Sequence, residues 1–255
     1  MNLDELLDDY LNIRFSRVTE RLDAGWPESG LPNRTDEWAE ACHLGMMSSF
    51  HLAGESDQRG DSGQAQHWDT QGELWRVRSL ACALHSGNLY AGAMGIVGLG
   101  AQAHYNKNWK LAVDIVNLAP ALLDAAMQRN AQPSNPPLAE IWRVFHEQRA
   151  VFLCDAVRSG EIPGTLDEAI SEAHRALELC KDDRRDSLRA SLKVSGGIAN
   201  MTYWNGDKEG AIMQTQAILE QARSEERLAP FKQIAETNLA EMINGGDKLH
   251  GYQIA

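Results

Sequence analysis

Residues 94–105, MGIVGLGAQAHY, carry Gly98, Gly100 and Ala103 in the spacing GxGxxA. Between a strand and a helix, that spacing seats a dinucleotide pyrophosphate: the glycines admit the phosphates to the backbone, and the helix N-terminus faces the charge. Such a unit also needs an acidic residue about 20 positions on, at the tip of a second strand. Here Asp114 comes too early, AQAHYNKNWK is broken by Asn106 and Asn108, and no second strand–helix unit follows. A helical reading explains the glycines better. Gly92, Gly95 and Gly98 recur every third residue, with Gly100 two further on, so a helix here has strips without side chains that a neighbouring helix can approach. Each helical glycine costs about 1 kcal/mol relative to alanine, and close packing is the compensation expected.

Other chemistry-bearing residues form no catalytic set. Glu40 and His43 make one ExxH, the spacing by which di-iron bundles place two ligands on one helical face, but a second ExxH is missing. His146-Glu147 lacks the second histidine of HExxH. GxSxG and the phosphate-binding P-loop are absent. Arg59-Gly60-Asp61 matches an adhesion tripeptide, a chance match in a chain without an export signal. No metal, no cofactor and no enzymatic activity are expected. The alternative left open is an enzyme with an unrecognised pocket between helices, with residues 54–68 as its lid.

The elements that position these residues are helical almost throughout. Leu3, Leu6, Leu7, Tyr10, Leu11 and Val18 fall at spacings of three and four, giving one amphipathic helix stopped near Gly25 and Pro27. Thr35 is read as the cap of a second helix with Trp38, Leu44, Met47 and Phe50 on one stripe. The polar stretch ESDQRGDSGQAQ reads as a mobile loop, residues 54–68. Further breaks fall at Gly87-Asn88, QPSNPP, GEIPG, KDDRRD and Gly206-Asp207. About ten helices result, and strands are confined to fragments such as KVSGGI.

Composition limits the partners. Thirty-six acidic against 24 basic residues give a net charge of −12, which repels nucleic acid and anionic lipid and favours basic partners. The acidic start MNLDELLDDY lacks the features of a signal peptide, and the longest apolar run is shorter than the roughly 20 residues that span a bilayer. The four cysteines stand far apart in helical stretches, as buried reduced thiols do. A cytoplasmic chain without a membrane partner is expected.

Three stretches share a helix, a tight turn and a second helix opening with alanine: LGAQAHYNKNWKLAVDIVNLA, VRSGEIPGTLDEAISEAHRALEL and IANMTYWNGDKEGAIMQTQAIL. Leu99, Gly100, Trp109, Ala112 and Ala119 mark the first. Ala169, Ile170, Ala176 and Leu177 mark the second, after an insertion at GEIPG, and Tyr203, Gly206, Asp207, Ala211, Ile212 and Leu219 the third. Over about residues 88–225 this pattern resembles a degenerate tetratricopeptide repeat. Ala112, Ala169 and Ala211 lie 57 and 42 residues apart, against a family period near 34.

The resemblance implies a single all-α domain: a right-handed superhelix of antiparallel helical hairpins, the tetratricopeptide-like α-solenoid. Residues 1–86 would cap it or pair with a second copy, leaving a homodimer open, and residues 226–255 would supply a last helix and tail. It also implies a concave groove, lined by the first helix of each hairpin, that binds a protein or peptide. Carried over position by position, the groove residues are His104, Tyr105, Arg158, Asn200, Tyr203 and Trp204. A regulator or adaptor of bacterial type follows as the expected function, with an acidic immunity protein that neutralises a basic toxin as the alternative.

Overall fold

The computed structural model describes residues 2–129, 138–180 and 187–251. Among them every regular element is helical, so the all-α expectation holds. The α-helices are α1 (Leu3–Leu11), α2 (Phe15–Gly25), α3 (Thr35–Gln58), α4 (Ser62–Ser86), α5 (Leu89–Tyr105), α6 (Trp109–Val116), α7 (Ala119–Gln128), α8 (Leu138–Arg158), α9 (Asp167–Cys180), α10 (Ser187–Trp204), α11 (Lys208–Ala222) and α12 (Ala229–Ile243), with a 3-10 turn at Glu226–Leu228. KVSGGI lies inside α10. The expected breaks at QPSNPP and KDDRRD lie outside the described residues. Described residues within Met1–Leu99 and Leu118–Asn135 form one compact unit, and those within Gly100–Asn117 and Pro136–Ile254 a second.

In the first unit, α3 and α4 form a long antiparallel hairpin on which α1 and α2 pack. Leu6, Val18, Leu22, Trp38, Met46 and Trp75 meet in its core. Three local expectations need correction. The first amphipathic stretch is two helices, because Ile13 takes left-handed backbone at φ 60 and Arg14 is drawn back onto buried Asp9 at 2.6 Å. Thr35 is the first residue of α3 and not its cap; Arg34 precedes it at φ 59. Residues 54–68 are helical apart from the turn at 59–61, since Asp61 accepts a hydrogen bond from the Gln64 N–H and starts α4 at once. A polar Gly/Ser composition is also that of a solvent-facing hairpin end.

Several helices end with the same three hydrogen bonds. After α10 the N–H groups of Asn205, Gly206 and Asp207 donate to the carbonyls of Met201, Tyr203 and Thr202. The same register recurs after α1 (Asn12, Ile13, Arg14), α3 (Arg59, Gly60, Asp61), α5 (Asn106, Lys107, Asn108) and α12 (Asn244, Gly245, Gly246). In each case the middle residue has positive φ, from 59° at Lys107 to 102° at Gly206. This is the Schellman-type stop, which satisfies the last carbonyls and reverses the chain in two or three residues. The sequence hides it, because Ile13 and Lys107 stand where glycine is the usual occupant.

In the second unit α6 packs on α8, and α8 to α12 pack each on the next. Ala112, Ala169, Ala173, Ala176, Ala199 and Ala211 are buried where these helices pack. Residues Trp109–Gln128 have the apolar composition of a short membrane span, yet Asn117 and Leu118 divide them into α6 and α7. Pro120 therefore begins a helix, in the first turn of α7, where its missing N–H costs nothing.

The glycines of α5 lie within one continuous helix, where most N–H groups are used internally. A Cβ at Gly98 would approach Met46 Sδ to 2.9 Å. The tip of Met46 is flexible, so Gly98→Leu is expected to destabilise by about 1–3 kcal/mol through overpacking, read as a lowered urea midpoint.

Candidate functional site

α10 is enclosed by its neighbours, with residues Ile198 to Tyr203 all buried. Two of these are polar, Asn200 at 3% and Thr202 at 9% exposed, and Asn200 brings a full amide into the core. α12 presents the same anomaly. Its inner stripe runs Phe231, Ala235, Asn238, Met242, and Asn238 is 0% exposed. A buried amide costs several kcal/mol unless its hydrogen bonds are made, and here the two amides share them. The Asn238 side-chain NH2 donates to Asn200 Oδ1 at 3.2 Å.

Their remaining partners come from the main chain beyond α12. Gly245, at φ 74, turns the chain at the helix end, and the non-helical segment 247–251 runs back beside α10 and α12. His250 N–H donates to Asn238 Oδ1 at 2.7 Å, and the His250 carbonyl accepts from Asn238 Nδ2 at 2.8 Å and Asn200 Nδ2 at 3.0 Å. Trp204 Nε1 donates to the Asp247 carbonyl at 3.2 Å, and the Lys248 N–H donates to Glu241 at 3.3 Å. All five bonds go to backbone atoms of the segment. Leu249 alone inserts a side chain, packing against the small cluster of Tyr203, Ala211 and Met242.

Beside this face lies a charged and aromatic group. The Arg158 guanidinium stacks on the Trp204 ring at 3.6 Å from its centroid. Asp155 Oδ1 lies 4.0 Å from Arg158, and Asp155 Oδ2 lies 2.7 Å from His104 Nε2. His104 is held between Trp109 and Phe152, with centroids at 4.8 and 5.0 Å. His104, Asp155, Arg158 and Trp204 thus form a chain of contacts, which Asn200 joins only through the segment. Tyr203 is a core residue: it is buried, and its hydroxyl donates to the Met242 carbonyl at 3.4 Å. Tyr105 is exposed. Asn238, Asp155 and the segment itself were invisible to repeat-based reasoning; the one signal was an asparagine on the otherwise apolar stripe of α12.

A buried ionic lattice braces α8, α9 and α10 in the same unit. Glu172 accepts from His146 Nδ1 at 2.7 Å and Arg175 at 2.8 Å, and Arg149 forms an ion pair with it at 3.0 Å. Glu147 accepts from Lys193 at 2.6 Å and Arg143 at 2.8 Å. Burial pushes the Glu147 carboxyl up, but Lys193 and Arg143 together outweigh it and hold the group below its ordinary value.

The residues considered for catalysis are placed differently. All four cysteines are buried thiols, and burial pushes Cys82 up to about 11 and Cys154 to about 12. These two thiols are protonated and unreactive at neutral pH. Among the described residues no three His, Cys, Asp or Glu side chains stand close enough to hold a metal. His43 lies in α3, and burial pushes its imidazole down to about 4. It stays neutral in the folded chain where the unfolded chain is protonated, so stability should fall as pH drops from 6.5 towards 4, by at most about 3 kcal/mol, and stay flat above 6.5. His43→Gln should flatten that limb in urea titrations at pH 7, 5.5 and 4.5.

No family model, curated protein or solved structure matches the chain.

Proposed function

We propose that the chain is a tetratricopeptide-like α-solenoid that binds an extended protein or peptide segment on the face of α10 and α12, working as a regulator or adaptor without chemistry of its own. The observation that carries this reading is the Asn200–Asn238 pair, two buried amides whose hydrogen bonds are completed by the N–H and carbonyl of one residue of a non-helical segment. Such an arrangement reads backbone and not side chain. It also selects conformation. In an extended residue N–H and C=O point to the same side, as in a strand pair, whereas in a helix they point in opposite directions along the axis. Trp204 and Arg158 add flat contact area of the kind that dominates peptide affinity.

The repeated Schellman turns and the consecutive packing of α8 to α12 support the superhelical reading of the hairpins. The net charge of −12 favours a basic partner, met in the cytoplasm.

A display library of random peptides, selected on the full chain, tests the reading. Selected peptides should lose about 2 kcal/mol, roughly 30-fold, on Trp204→Ala, and a similar amount on Asn200→Ala, with helicity unchanged. Peptides that bind both variants normally would show that the groove lies elsewhere.

A further inference from the structure

We infer that the ligand class of this face is a non-helical peptide with an apolar residue immediately before the clamped position, and that segment 247–251 of the chain itself is the resident occupant with which such a peptide competes. The inference rests on the peptide-binding reading and adds its specificity and regulation. Three observations meet here. First, the site bonds only to main-chain atoms of the segment, whose Leu249 N–H turns back onto the Asp247 carbonyl at 3.0 Å, so a chain that makes this turn and presents the next residue to the two amides can take its place. Second, one side chain is read: Leu249 enters the cluster of Tyr203, Ala211 and Met242, while Asp247, Lys248, His250 and Gly251 are exposed. The position before the clamped residue is therefore apolar, and its neighbours are free. Third, the segment follows α12 after the short turn at Asn244–Gly246 and carries no regular structure. It can leave without unfolding a helix, yet its tether keeps it at an effective concentration on the order of millimolar. A peptide in trans must overcome that occupancy, which lowers its apparent affinity by the fraction of open sites.

The probe is a fluorescein-labelled, end-blocked peptide of residues 245–251, GGDKLHG, followed by anisotropy against the full chain. The comparison is a full chain carrying Leu249→Asp and His250→Pro, which removes the apolar anchor and the N–H that Asn238 accepts. The substituted chain should bind the probe at least tenfold more tightly than the natural one, and adding Asn238→Ala should abolish the gain. Amide hydrogen exchange reads the same event without any substitution: His250 N–H should be protected in the natural chain and lose protection as excess probe is added, with α10 and α12 unchanged.

Equal binding by the two chains overturns self-occupation and leaves the peptide-binding reading standing. No binding to either chain, at unchanged helicity, overturns the ligand class and makes the segment a structural strap. Library-selected peptides that still depend on Trp204 would then preserve the broader reading, and their absence would remove it as well.

Discussion

Glu172→Ala should remove about 3–5 kcal/mol of stability, the largest loss expected from any single charged residue here. Glu172 is 4% exposed; His146 of α8 and Arg175 of α9 donate hydrogen bonds to it, and Arg149 of α8 pairs with it ionically at 3.0 Å. Burial alone would push its carboxyl up; the His146 hydrogen bond and the nearby Arg149 outweigh that and hold it below its ordinary value. A buried ion pair is a poor source of net stability, because desolvation consumes most of the attraction. Removing Glu172 is different, since it leaves the largely buried His146 and Arg149 side chains without that carboxylate, although Arg175 is mostly exposed and Arg149 keeps Glu168. Glu172→Gln, which keeps an acceptor oxygen, should cost less. Because the folded carboxyl is depressed, its stabilisation is complete above the unfolded value near 4.3 and is lost as pH falls through the folded value. The alanine variant should lack that acid limb. Urea unfolding at pH 7 and pH 3.5 reads both effects, and a loss under about 1 kcal/mol at pH 7 would mean that solvent reaches the lattice freely.

Gly100→Leu is expected to be comparably severe, roughly 3–5 kcal/mol. A Cβ there would lie 2.9 Å from the Phe152 ring, 3.2 Å from the Ala112 carbonyl oxygen and 3.5 Å from Val116 Cβ. Phe152 is fully buried and the Ala112 oxygen belongs to the backbone of α6, so neither can give way as the tip of Met46 can beside Gly98. Gly100→Leu should therefore destabilise more than Gly98→Leu. If the order is reversed, the close approach of α5 to α6 and α8 is not what requires glycine at position 100. Together the two glycines explain the dinucleotide-like spacing of the sequence: GxGxxA here reports two separate close contacts on one helix.

Much of this fold could be read from the chain. Apolar spacings of three and four located most helices, and small residues at Ala112, Ala169, Ala176 and Ala211 marked where they pack. The failures have a common cause. Composition marks turns by glycine and polar residues, whereas Ile13 and Lys107 take the left-handed conformation without being glycine, so α1 and α2 read as one helix. Conversely, the polar run after Gly54 looked like a loop although only three of its residues turn.

At the site, the repeat resemblance names Asn200, Trp204, Arg158 and His104; contacts run from His104 through Asp155 to Arg158 and Trp204, and Asn200 is joined to Trp204 only through the segment. Tyr203 was named with them and is buried in the core. Adjacent residues on a helix point about 100° apart, so with Trp204 towards the segment its neighbour turns inward. Asn238 could not come from the resemblance, because α12 lies outside the three repeat-like stretches. Its signal was energetic: an amide on an apolar stripe must be satisfied by something.

On the proposed reading, the Asn200–Asn238 pair binds a peptide backbone. The most direct test is a nuclear magnetic resonance titration of the full chain with a library-selected peptide, following the side-chain amide resonances of Asn200 and Asn238 and the indole N–H of Trp204. All three should shift together and saturate with the same dissociation constant as the anisotropy titration. Saturable binding that leaves the two amide resonances in place would contradict that reading.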